Sequence, residues 1–426
     1  MRFTTRRNLI LIGAACLGLA FGLSGCKPQN AQARPVSVLV GPAKTEPAAA
    51  EQTAGYQELS KALDLNLKIG DSQIEPAQPD EVQVMVRSMA EKDKAVAILG
   101  ATSNEASMRA AGLVNFLNLP MLIPTAGGDN LMPSNNLWAF RLSAPGSAYG
   151  RYLFGQIVTK SAVSQMHLDT DVLESFKIAI LYEQNTFGES AAVATAQTAM
   201  QQSIEIDPLQ SLYGMQIAVY GSFPDRALDA ERIKALVGQV KENGVQLVYL
   251  VASDNAIAAQ LVRAFVSAYA ADQTPLPILV GQSGAFASAA FEQSTEAKDV
   301  YILRQFWDKK SCPAGITSLY AGQSYAAAYL LNQSVRFVLD STPQTVPSLA
   351  QKSSADQLSA FRESLREKLK DSQLNLPCLG MVSFDTNGQN KNLQFEFVKV
   401  DAGAEKTVSV EQFLEILRAR ILDTAF

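Results

Sequence analysis

Histidine is almost absent from this chain: His167 is the only one in 426 residues. A Ser-His-Asp triad and an imidazole-based metal site are both hard to build from that inventory. Cysteine is scarce as well, with four residues, and none of them falls at zinc-ligand spacing. Paired glycines such as Gly127-Gly128 match neither a P-loop nor a GxGxxG fingerprint. Positive charge is not in excess: 36 Lys and Arg face 41 Asp and Glu, a net charge of −5, with no basic stripe for nucleic acid. Asp and Glu pairs fall mostly on polar helix faces. These shortages argue against an enzyme, a metal, a cofactor and a nucleic-acid partner. An apolar run, Leu9 to Gly22, opens the chain, and it is too short to span a bilayer comfortably.

That run has a different meaning. Arg2, Arg6 and Arg7 precede it and Leu23-Ser24-Gly25-Cys26 follows. Basic, apolar and small-residue regions in that order read as a signal peptide over residues 1–25. The last four residues resemble a bacterial lipobox, which implies lipidation of Cys26, with palmitate or a similar acyl chain, as the first mature residue. An ordinary signal peptide with a chance cysteine is the bland alternative. Thr5-Arg6-Arg7 leaves Sec and twin-arginine export both open. Cleavage would discard Cys16 and leave Cys312 and Cys378 in an oxidising compartment. An even pair permits a disulfide, which spacing alone does not decide.

Residues 26–35 are polar and carry Pro28 and Pro35, as a tether would. From Val36 the chain falls into a rhythm. Short aliphatic runs at 36–40, 95–99, 120–123, 177–182, 216–220, 246–251, 277–280 and 300–303 read as continuously apolar strands of parallel sheets buried on both faces. Helical patterns at 106–117, 189–202, 229–243 and 256–270 lie between them, so the fold class is α/β. Two long helices are expected at 321–339 and 356–370. Beyond them, 381–384 and 393–400 around Asn387-Gly388 read as a β-hairpin. The stretches 161–174 and 209–214 look like insertions. Parallel units followed by a hairpin imply two lobes with more than one crossing.

Three stretches give this pattern a likeness. "AVAILGATSNEASMRAAGLVNFLNLPMLIPTAGGDNL" (95–131), "KIAILYEQNTFGES" (177–190) and "LGMVSFDTNGQN" (379–390) occur in that order. Together they resemble the periplasmic solute-binding proteins of the leucine/isoleucine/valine-binding type, over essentially the whole mature chain. The resemblance implies two Rossmann-like lobes, each a parallel sheet flanked by helices, joined by three hinge crossovers. It places lobe 1 at 36–145 plus 308–379 and lobe 2 at 146–307 plus 380–426. It also implies a monomer, exported and lipid-anchored to a bacterial membrane. Such a receptor would capture a small polar solute (an amino acid, amide or related carboxylate) for an ABC permease.

The candidate site follows from the same resemblance. "TSNE" at 102–105 reads on its own as a capping box, with Thr102 at the cap and Glu105 reaching back. In the family, that helix start and the loop at Thr125, Ala126 and Gly127 hold a ligand carboxylate, since free N–H groups and the helix dipole favour an anion. The family hydroxyl falls on Asn104, or on Ser103. In the second lobe, the family tyrosine falls on Phe187, which lacks its hydroxyl, and a second aromatic position falls on Ser253. The family acid falls near Gln282 and Ser283, where no carboxylate stands. Asp254 is a substitute for that acid or else a helix cap. Gly41 to Glu46 takes the place of the first ligand loop, and the stretch after it is trimmed. The eroded second-lobe positions keep a rival open: a regulatory lipoprotein of the same fold that acts through protein contacts, as penicillin-binding-protein activators do.

Overall fold

The computed structural model describes residues 33–41, 48–62, 65–76, 78–157, 165–166, 176–206, 216–225, 227, 229–341, 355–401 and 404–425. The expected signal peptide, Cys26, His167 and the stretch 209–214 lie outside the described residues, as do 42–46 of the first expected ligand loop.

The chain begins β1 (Arg34–Val40), α1 (Ala48–Ser60), β2 (Leu67–Ile74), α2 (Pro79–Glu91), β3 (Ala97–Leu99), α3 (Asn104–Leu117), β4 (Met121–Ile123) and β5 (Ala139–Arg141). These strands form one parallel sheet in the order β2-β1-β3-β4-β5. All three residues of β3 and of β4 are buried, which is why they read as unbroken apolar runs. β2 and β5 carry no such run. Leu67–Ile74 is mostly polar and half-exposed at the sheet edge, and Ala139–Arg141 ends in a charged residue.

The second part runs α4 (Gly146–Ile157), β6 (Lys177–Glu183), α5 (Thr186–Ile206), β7 (Gln216–Phe223), α6 (Ala230–Glu242), β8 (Leu247–Val251), α7 (Asn255–Ala271), β9 (Ile278–Gln282), α8 (Ala289–Glu292) and β10 (Tyr301–Gln305). Then follow α9 (Leu319–Ser341), α10 (Ala355–Lys370), β11 (Gln373–Leu376), β12 (Gly380–Ser383), β13 (Phe395–Asp401), β14 (Ala404–Val408) and α11 (Val410–Ala425). The larger sheet has the order β14-β13-β10-β9-β8-β6-β7, antiparallel only at β13 and β14. Its helices show the spacing that packing needs. In α6 the buried residues are Ile233, Leu236, Val237 and Val240, one stripe of an amphipathic helix.

The expected hairpin at 381–400 does not form as read. Its turn exists: the Asp385 carboxylate accepts from the N–H groups of Asn387 and Gln389 at 2.8 and 2.9 Å. Pairing across it is limited to one bridge, Phe384 to Asn390. β12 pairs instead with β11, and β13 pairs with β10 in the larger sheet. Burial explains the separation. Val382 and Phe384 pack into the core of the first sheet, whereas Phe397 and Val398 pack into the cores of the second. A boundary at 379/380 therefore falls before β12, whose buried side chain stays with the first core.

The chain passes between the sheets after β5, after β10 and before β13. These passages are tied side by side. Arg141 N–H donates to the Gly388 carbonyl and Asn390 N–H to the Arg141 carbonyl. The Gln305 side chain accepts from Ala144 N–H at 3.0 Å and donates to the Leu142 carbonyl at 3.3 Å.

Candidate functional site

Strand β3 ends at Gly100, and the reason is steric. Its φ is +130°, and a Cβ there would stand 2.0 Å from the Leu39 carbonyl oxygen. The chain then turns directly into α3. Ser103, not Thr102, is the N-cap: its hydroxyl accepts from Ala106 N–H at 3.2 Å. Thr102 is tied elsewhere. Its hydroxyl accepts from Gly41 N–H at 3.0 Å and donates to the Gln52 side-chain oxygen.

A carboxylate already faces this helix start, and it belongs to the chain itself. Glu75, just beyond β2, accepts from Thr102 N–H at 2.5 Å and from Ser103 N–H at 3.3 Å through each oxygen. Glu75 is only 5% exposed. Burial pushes its pKa up, against the pull of the hydrogen bonds from Ser103 and Thr102. The neighbouring loop is fastened by Asn104, whose side-chain oxygen accepts from Gly128 N–H at 2.7 Å. Arg141, 1% exposed, donates to the Gly128 carbonyl from the other side. Burial brings the Arg141 pKa down to about 10, while Asp129 opposes the shift.

Both lobes line a single cavity of about 70 Å³ here. From the first come Thr102, Asn104, Thr125, Ala126 and Gly127; from the second come Phe187, Ser253 and Ser283. Phe187 reaches across: a Cβ on Gly127 or on Gly284 would meet its ring at 3.3 Å. Ser253 is turned toward Glu183, to which its N–H and hydroxyl both donate at 2.6 Å. Ser103, Asp254 and Gln282 do not line the cavity. Asp254 caps α7, accepting from the N–H groups of Ala256 and Ile257 at 2.8 and 3.1 Å. Gln282 is fully buried and accepts from the Tyr249 hydroxyl.

Three further lining residues carry no sequence signal. Tyr320 donates to the Gly284 carbonyl at 2.6 Å and accepts from Gly284 N–H at 2.7 Å. Tyr149 is buried, and burial pushes its pKa up to about 12. Gln323 donates to the Gln305 side chain at 3.0 Å. Tyr320 and Gln323 share one face of α9, three residues apart. That face meets the cleft only because α9 lies where the lobes join.

The lining contains no Lys, Arg, His, Asp or Glu. Two of its polar atoms lack a partner in the chain: the Thr125 hydroxyl and the Gln323 side-chain oxygen. Buried polar atoms are normally satisfied, so each of these two leaves a hydrogen bond that the chain itself does not make. Among the described residues there is no cluster of three metal-ligating side chains, and no helix is long and apolar enough to cross a membrane.

No family profile matches the sequence, and no curated protein matches it. Solved structures do match in shape. A solute-binding protein of an ABC transporter from Rhodopseudomonas palustris, in complex with 3,4-dihydroxybenzoic acid, has a TM-score of 0.66 at 14% identity, over 88% of this chain and 96% of that one. A leucine-binding protein from Thermotoga maritima has a TM-score of 0.64 at 12% identity, over 88% and 98%. An ABC transporter substrate-binding protein from Desulfitobacterium hafniense, in complex with Leu, has a TM-score of 0.60 at 14% identity, over 88% and 100%. The fold is that of the type 1 periplasmic binding proteins, and these neighbours are solute-binding proteins rather than enzymes.

Proposed function

We propose that this chain is an extracytoplasmic receptor that captures a small polar solute between two lobes and delivers it to an ABC permease. A lipid on Cys26 anchors it to the membrane. Lobe 1 comprises 36–145 plus 308–384, so that β12 stays with the core it packs against, and lobe 2 comprises 146–307 plus 385–426. The observation that carries this reading is the cavity between the sheets, lined by hydroxyl, amide and aromatic side chains from both sides. Such a site gains contacts when the lobes close, so a solute favours the closed form. An apolar cavity of about 150 Å³ holds benzene. At about 70 Å³ this one suits a compact molecule, and a larger solute enters only as the lobes part. Thermal melting against libraries of amino acids, amides and carboxylates tests the reading, followed by calorimetric titration of any hit.

The small cavity also favours one alternative, a regulatory lipoprotein of the same fold that works through protein contacts. A chain that no solute stabilises, and that co-purifies with a cell-wall enzyme rather than a permease, fits that alternative.

A further inference from the structure

We propose that Glu75 is a built-in substitute for a ligand carboxylate at the start of α3, and that the cleft is thereby selective for uncharged solutes carrying an N–H or O–H donor. The solute arm rests on the solute-capture reading; the Glu75 arm stands without it.

The start of α3 is where an anion would be held, because its first N–H groups point outward at the positive end of the helix dipole. Two N–H groups leading into that helix, that of Thr102 just before the N-cap and that of Ser103 at the N-cap itself, are donated to Glu75. Glu75 comes from another part of the sheet, 27 residues earlier in the sequence. It is held in place by its own backbone, whose N–H donates to the Val40 carbonyl at 2.8 Å. Thr102 connects this carboxylate to the cleft, since the residue that donates to Glu75 also lines the cavity. Glu105 in the first turn of α3 adds a second negative charge nearby. A third carboxylate would meet repulsion there and find no cationic side chain in the lining.

What the cleft offers instead is neutral. The Gln323 side-chain oxygen has no partner, and Gln323 is 1% exposed. Its nitrogen is already used on Gln305, which fixes the oxygen as the free end. That oxygen needs a donor. The Thr125 hydroxyl, also without a partner, can give or take a hydrogen bond. A primary amide, a urea-like group or a polyol meets both requirements without bringing charge into the site. A zwitterionic amino acid would leave both its carboxylate and its ammonium uncompensated.

The test uses the purified full chain, Glu75→Ala and Glu75→Gln. Emptying the position in Glu75→Ala should lower the melting temperature. Sodium formate, but not sodium chloride at equal ionic strength, should restore part of that loss. Formate should bind Glu75→Ala at least about tenfold more tightly than it binds wild type, the scale of hydrogen bonds to a charged group. Glu75→Gln keeps an oxygen for Thr102 N–H and covers the case in which the alanine variant does not fold. It should bind propionate more tightly than wild type does, and wild type should prefer propionamide to propionate.

The proposal is overturned if formate stabilises wild type as much as Glu75→Ala. It is equally overturned if wild type prefers propionate, or if Glu75→Gln binds propionate no more tightly than wild type. If wild type binds no solute from a broad neutral library while Glu75→Ala still responds to formate, solute capture fails and the assignment of Glu75 stands.

Discussion

Thr125 and Glu292 show how two buried polar groups lead to opposite tests. The Thr125 hydroxyl has no partner in the chain, so Thr125→Ala removes no intramolecular hydrogen bond. Its stability without solute should stay within about 0.5 kcal/mol of wild type. Binding of whatever solute a melting screen identifies should weaken by about 1 kcal/mol, read by calorimetry. Equal affinity in the variant would remove Thr125 from the site. Glu292 sits with Glu396 and Glu405 around Arg304, at 2.7, 2.9 and 2.6 Å. Three carboxylates share one buried guanidinium. Burial pushes the Glu292 pKa up from 4.5 to about 7, with Arg304 pulling it back. A raised carboxyl pKa means the folded state holds the proton more tightly than the unfolded chain does. Its contribution is therefore full below about pH 4.5 and is lost as pH rises toward 7. Glu292→Gln should flatten that loss, by on the order of 2 kcal/mol between pH 5 and 7.5 in urea unfolding. Identical pH profiles for variant and wild type would contradict the assignment.

Among the elements, the crossovers carry the most consequence. The sulfur atoms of Cys312 and Cys378 lie 2.16 Å apart, with their Cα atoms at 4.8 Å. The pair joins the segment after β10 to the one before β12, across 66 residues that include α9 and α10. Constraining so long a loop in the unfolded chain is worth about 2–4 kcal/mol. Intact mass should show two hydrogens fewer in the non-reduced protein, and Cys378→Ser should unfold at lower urea. Two free thiols in the exported protein would exclude the bridge. The start of α3 carries a smaller lesson. "TSNE" permits a cap at Thr102 or at Ser103, and the shift by one residue follows from what Thr102 bonds to: Gly41 and Gln52 draw its hydroxyl away from the helix. Ser103→Ala should therefore cost about 1 kcal/mol by loss of the cap, read as a lower urea midpoint.

For the whole molecule, the anchor is the expectation with the plainest test. Cys26→Ser should yield either a soluble unlipidated chain or an uncleaved precursor. Continued incorporation of labelled fatty acid would rule the lipobox out. Each buried methylene of an acyl chain adds about 0.8 kcal/mol, so several chains hold firmly.

The sequence by itself determined the two-sheet α/β architecture, because strands buried on both faces must be apolar throughout: "AIL" in β3 and "LVYLV" in β8 leave little choice. Its resemblance to the solute-binding proteins, rather than any local pattern, pointed to eight of the residues lining the cavity. It did not separate the partners of β12 and β13, since both candidate pairings satisfy the same alternation and only the two cores tell them apart. Tertiary structure alone brought Glu75 to the start of α3 and Tyr320 and Gln323 to the cleft. Glu75 lies in an unremarkable polar stretch, and Tyr320 and Gln323 lie on a long helix. Their roles arise from which strand ends and which helix face the fold brings together, a long-range contact that no local pattern encodes.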